Sequence, residues 1–220
     1  MDLLVLFFEI GRAYGREKSV SMNQIMLVVG TRPEGVKMMP LYLALQRVGC
    51  VPFLCSTGQH SATMLGEIFT SFGVQPDCDL QIMKPEQDLF YTHTAVLERM
   101  GRLYEQEKPS AVIVVGDTTT VFAAAMAAFY KKIPVCHIEA GLRTEDRHSP
   151  FPEEAYRTMV TVIADYHFAP TSVAMAHLLT ERRKRETVFC VGNTVVDALR
   201  IMRERIIAKK VGIAEEVQQC

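Results

Sequence analysis

The chain has 220 residues, with 24 Lys plus Arg against 25 Asp plus Glu and a net charge of −1. Its hydrophobic share is 49% and its charged share 22%, so a sizeable core can form and low-complexity disorder is excluded. The near-neutral balance also excludes a nucleic-acid binder that depends on a strongly basic surface.

From residue 25 onward, short apolar runs alternate with amphipathic stretches. A strand is expected at Ile25–Val29 and a helix at Val36–Arg47, then a strand at Val51–Ser56 and a helix at Leu89–Gln106. Ala111–Val115 reads as a strand, Val121–Lys131 as a helix, Val135–Glu139 as a strand and Glu153–Ala164 as a helix. Tyr166–Ala169 (strand), Ser172–Glu181 (helix), Val188–Val191 (strand) and Val195–Lys210 (helix) complete the series. Several strands are apolar throughout, which fits a sheet covered on both faces. The alternation implies an α/β fold with a Rossmann-like, doubly wound parallel sheet. Pro33 and Pro152 sit where a first helical turn begins, and Thr171 is placed to cap the helix at Ser172. Gly30, Gly116 and Gly192 each follow a strand, where the chain must turn sharply.

No apolar run approaches the roughly 18 residues of a membrane span. The run from Leu3 to Phe8 stops at Glu9, and Asp2 stands where a secretory leader would be basic. Six cysteines (50, 55, 78, 136, 190 and 220) form no CxxC pair and no zinc spacing with His. Buried free thiols in a reducing cytosol are expected rather than a disulfide framework. His137 lies within a strand and reads as a core histidine, while His93, His148, His167 and His177 show no ligand spacing, so no metal is expected. The basic run Arg182 to Arg185 reads as a solvated turn.

In an open α/β sheet, ligands bind beyond the carboxyl ends of the strands. The first strand is followed there by Gly30-Thr31-Arg32-Pro33-Glu34-Gly35-Val36-Lys37. Arg32, Lys37 and a helix N-terminus together form a site suited to an anion such as phosphate. The competing reading is a solvated turn with a Glu34 ion pair. Asp117 and Glu139 end two further strands. Asp117 could simply cap the next helix, whereas a Glu closing an apolar strand is costly unless paired or functional. Glu153 and Arg157 stand four apart in the first turns of a helix, where an ion pair is the plain expectation. Taken together, these carboxylates and cations could move protons while holding a phosphate leaving group.

The motifs GTRPEGVK (30–37), TGQH (57–60), GDTTT (116–120), HIEAGLRT (137–144), SPFPEEAYR (149–157), HFAPT (167–171) and GNTVVDAL (192–199) resemble, in order, the non-hydrolysing UDP-N-acetylglucosamine 2-epimerases. The resemblance runs from about Met22 to Leu199. It implies the N-terminal half of a GT-B-type two-domain fold with substrate in the cleft between domains. Residues 1–21 are then an extension, 22–199 the family domain, and 200–220 a helix and tail where a second domain would begin. The implied reaction converts UDP-GlcNAc to UDP-ManNAc through elimination and re-addition of UDP, with no metal or redox cofactor, in the service of bacterial polysaccharide synthesis. Asp117, Glu139 and Glu153 match the acidic catalytic residues. Arg32 and Lys37 match phosphate contacts, Arg157 helps hold the site, and Gln59, His60 and Arg143 join the substrate-binding set.

Two departures stand out from the family pattern: Gly35 where Ala is usual, adding flexibility to the turn, and Tyr156 where Asn is usual, reshaping the acidic pocket. The implied partners are UDP-GlcNAc or UDP together with a second copy or a separate C-terminal half, and the implied location is cytoplasmic. Without the second domain and its HRREN-type segment, the chain is expected not to turn over alone. The alternatives are a non-catalytic UDP-sugar-binding module or one half of a split epimerase. Apolar surface and self-association are expected near residues 192–220.

Overall fold

A computed structural model describes residues 24–59, 62–208 and 211. The expected extension at 1–21, His60, and most of the expected tail beyond residue 208 lie outside them. The elements in order are β1 (Ile25–Val29), α1 (Arg32–Arg47), β2 (Pro52–Ser56), α2 (Ala62–Phe72), β3 (Cys78–Asp79), α3 (Leu89–Glu107), β4 (Ala111–Val115) and α4 (Thr119–Tyr130). They continue as β5 (Val135–Ile138), α5 (Glu153–Ile163), β6 (Tyr166–Ala169), α6 (Ser172–Thr180), β7 (Val188–Cys190) and α7 (Thr194–Ile207). The strands form one seven-stranded sheet in the order β3-β2-β1-β4-β5-β6-β7, and every neighbouring pair is parallel.

The doubly wound reading of the sequence holds. From β1 in mid-sheet the described chain winds outward to β3, then returns to β4 beside β1 and winds the other way. The reversal between β1 and β4 opens a crevice beyond their carboxyl ends, where such sheets bind ligands. In β1, Leu27 and Val29 pack with Met38, Leu41, Leu45, Leu65 and Phe69 on one face. Met26 and Val28 pack with Val96, Met100, Val121 and Val160 on the other. Both faces are therefore apolar, which is why these strands read as continuous runs. The alanines 123, 124, 125, 127 and 128 of α4 are buried, and their small side chains let this helix lie close to the sheet.

Three strands match the sequence reading residue for residue, while α2 and the two-residue β3 were not anticipated. Helix α1 begins one turn earlier than its apolar pattern, because Pro33 and Glu34 stabilise its first turn. Pro152 takes the N-cap position of α5 rather than a place inside it. Gly35 is buried in α1, where a Cβ would lie 3.2 Å from Leu65 Cδ2, so it permits close packing of α2 instead of loosening the turn. Among the described residues no helix is long and apolar enough to cross a membrane.

Candidate functional site

Helix α1 points its N-terminus at the crevice, and Glu34 organises that turn. Its carboxylate is buried and accepts from the backbone N–H of Gly30 (2.6 Å) and Thr31 (3.2 Å) and from the hydroxyl of Thr118 (2.5 Å). This differs from the competing reading of a solvated turn with a Glu34 ion pair: Glu34 ties the end of β1 to the start of α4. Burial pushes its carboxyl above the usual range, against the pull of those donors. Gly30 must be glycine here, since a Cβ would fall 2.2 Å from Thr120 Oγ1 and 2.7 Å from Thr57 Oγ1. Those two hydroxyls are 3.0 Å apart, and Thr120 Oγ1 donates to Gln59 Oε1 at 2.7 Å.

Lys37, one turn further along α1, forms an ion pair with Glu139 at the end of β5. The other carboxylate oxygen of Glu139 accepts from the amide of Asn193 at 3.0 Å. Asn193 also caps α7, accepting from Val195 N at 3.0 Å. Glu139 has φ +65°, a left-handed conformation that costs a non-glycine residue roughly 1–2 kcal/mol. Such strain is typical of residues held for function.

Asp117 does not cap α4; Thr118 does, accepting from Val121 N. Asp117 instead pairs with Arg157 of α5. Arg157 also reaches Glu154 at 3.2 Å, so its ion pair within α5 is with Glu154 rather than the expected Glu153. Glu154 is buried and accepts from Thr144 N at 3.1 Å. Burial pushes the Asp117 carboxyl up; Arg157 opposes this, and the nearby charges of Glu139 and Glu153 add to it. The three predicted carboxylates therefore share one electrostatic environment.

Arg32 is exposed at the start of α1 and bonds to no other described residue. Arg143 stands apart from the carboxylates: it forks onto Glu181 (2.7 and 2.8 Å) and donates to Thr161 Oγ1 (3.0 Å) and Leu142 O (2.7 Å). Tyr156 turns onto Phe122 of α4, with ring centroids 5.0 Å apart. His137 is a core histidine as expected. It is fully buried with Nε2 2.7 Å from Gly116 O, and burial pushes its imidazole down to about 3.

Glu154, Asn193 and Thr118 were missed. Asn193 carried a legible signal, an Asn immediately before a helical run. Glu154 carried none that separates it from Glu153, because positions three and four residues apart on a helix are both neighbours.

The family model described as UDP-N-acetylglucosamine 2-epimerase matches residues 43–219. The UDP-N-acetylglucosamine 2-epimerase of Bacillus subtilis is 47% identical over 177 residues, which is 80% of this chain and 46% of that protein. The crystal structure of the Neisseria meningitidis UDP-GlcNAc 2-epimerase bound to UDP-GlcNAc superposes with a TM-score of 0.80 at 44% identity, covering 84% of this chain and 51% of that one. The Methanocaldococcus jannaschii UDP-GlcNAc 2-epimerase, in complex with UDP-GlcNAc and UDP, gives 0.79 at 35% identity, covering 89% and 52%. The chain thus spans about half the length of the curated relatives it matches. A match of that extent, over a sheet of the same architecture, places the chain in the UDP-N-acetylglucosamine 2-epimerase family.

Proposed function

We propose that this chain forms one wall of an active site that interconverts UDP-GlcNAc and UDP-ManNAc, the other wall coming from the half of the family fold that these residues do not span. The observation that carries this reading is the convergence of Asp117, Glu139 and Glu153 with Lys37 and Arg157 beyond the strand ends at the β1–β4 reversal. A carboxylate removes the proton from C2 of the sugar, the C1–O bond breaks, and UDP leaves with the bonding pair. UDP then adds back to C1 of the resulting glycal as a proton is delivered to C2 from the opposite face. The carboxylates handle the proton, and a half-buried Asp117 beside two other acids is more easily protonated than in water. Arg32, Lys37 and the α1 N-terminus face the charge that collects on the leaving diphosphate.

Gln59, fixed by Thr120, lines the crevice in this reading, with His60 beside it in sequence. Arg143 acts as a brace that ties the loop before α5 to Thr161 and Glu181. The reduced thiols at Cys55, Cys78, Cys136 and Cys190 fit a reducing, cytoplasmic location.

Calorimetry with UDP tests the binding half of this proposal. The chain is expected to bind UDP, and Arg32→Ala is expected to weaken binding about tenfold without changing the melting temperature. Absence of heat up to millimolar UDP, or equal affinity in Arg32→Ala, contradicts it.

A further inference from the structure

We propose that Cys55 and Cys78 form a redox-active dithiol at the edge of the sheet, which closes to a disulfide when a peroxide-class oxidant reaches it. The two residues are register partners on the adjacent parallel strands β2 and β3. Neighbouring strands lie about 4.8 Å apart, within the Cα separation of roughly 4.4–6.8 Å that a disulfide bridges. Both side chains lie on the same sheet face, with Cys55 inside the cluster around Val96 and Met100 and Cys78 packed against it.

The two thiols differ in ways that suit sequential oxidation. Cys78 is on the short edge strand and partly exposed, so an oxidant can reach it. Cys55 is fully buried, with Sγ 3.7 Å from Met100 Sδ and 3.8 Å from Ser56 O. The neighbouring Cys55 thiol holds Cys78 down to about 7, while Cys78 and burial push Cys55 well up. The exposed partner is thus the readier thiolate, and the buried one keeps its proton. Cys136, by contrast, is buried and pushed up to about 12. Cys190 is exposed on β7 opposite Ala169, with no cysteine in register.

The chemistry balances without any further reactant. The Cys78 thiolate attacks one peroxide oxygen and the O–O bond breaks, giving a sulfenic acid and, after protonation, water. Cys55 sulfur then attacks the Cys78 sulfur, the S–O bond breaks, and a second water departs with the Cys55 proton. Each sulfur loses one electron and the peroxide gains two. Strand β3 is two residues long and pairs only with β2, so few ladder hydrogen bonds hold Cys78 against the motion that closes the bond.

The test is peptide mapping of the full chain after brief treatment with hydrogen peroxide and alkylation of the remaining thiols. One cross-linked peptide joining Cys55 to Cys78 is expected, with the loss of two of the six thiols and full recovery in dithiothreitol. Cys78→Ser should abolish the cross-link and Cys190→Ser should leave it unchanged. The proposal is overturned if Cys78 stays reduced or passes to the sulfinic acid with Cys55 still free. It is equally overturned if the link involves another cysteine, or forms as readily in urea-unfolded chain, since proximity along the sequence would then suffice.

Discussion

Arg157 is the residue on which the acidic side of the crevice turns. One guanidinium, itself largely withdrawn from water, faces the buried Glu154 and the half-buried Asp117. Removing it strands two carboxylates, and breaking a buried pair in this way typically costs about 3–5 kcal/mol. Arg157→Ala is therefore expected to lower unfolding free energy by about 3 kcal/mol in urea titrations, and a loss below about 1 kcal/mol contradicts the arrangement. Gly141 makes a second residue-scale demand. Its φ is +87°, and a Cβ there would meet Ala174 O at 2.2 Å. Gly141→Ala combines left-handed strain with a backbone collision, and a loss of about 3 kcal/mol or more is expected from the same titration.

His137 sets the response to acid. Its imidazole titrates near the ordinary histidine value of 6.5 when unfolded, and burial pushes it down to about 3 when folded. Between those values the unfolded chain holds a proton that the folded chain does not, so stability rises with pH across that window and is lost as pH falls through it. His167, also pushed down by burial, acts in the same direction. Urea midpoints are expected to fall from pH 7 to pH 5, and His137→Gln should flatten that dependence; an unchanged slope in the variant contradicts this assignment.

At the scale of elements, the β1–α1 and β4–α4 turns define the crevice, and Glu34 joins them. The strands were legible because two buried faces make a run apolar throughout, as in Ala111–Val115. Helix α2 and strand β3 were not. The α2 stretch mixes Thr, Ser and Gly with its apolar residues, and β3 pairs over only two residues, too few for any period to show. Asp117 and Glu139 were legible as acids at strand ends and Glu153 as an acid in a first helical turn, but the partners were not: which of Glu153 and Glu154 meets Arg157, and which residue caps α4, are set by tertiary contacts. Gly30→Ala tests the turn itself. With Thr120 Oγ1 and Thr57 Oγ1 both inside contact distance of the new Cβ, a loss of roughly 1–3 kcal/mol is expected, along with weaker UDP binding. A variant that matches the parent in both would show that the turn does not need this close approach.

At the scale of the whole molecule, α7 leaves Val196, Leu199 and Ile207 exposed, the apolar surface expected at this end of the chain. Phe129, Tyr130 and Val162 are exposed on α4 and α5 as well. Surfaces of this kind favour association, either with a second copy or with the half of the fold that completes the cleft. Sedimentation equilibrium is expected to show concentration-dependent self-association of the isolated chain, and a monomer at high concentration contradicts that expectation.

The most direct test of the proposed active site is turnover. The chain is joined to the second half of the Bacillus subtilis relative, and conversion of UDP-GlcNAc to UDP-ManNAc is followed by NMR. The joined protein is expected to epimerise, the chain alone is not, and Asp117→Asn, Glu139→Gln and Glu153→Gln should each lower kcat by about 100-fold or more. A folded, UDP-binding fusion that forms no UDP-ManNAc, or one whose rate survives all three substitutions, would contradict the proposal that these carboxylates carry the chemistry.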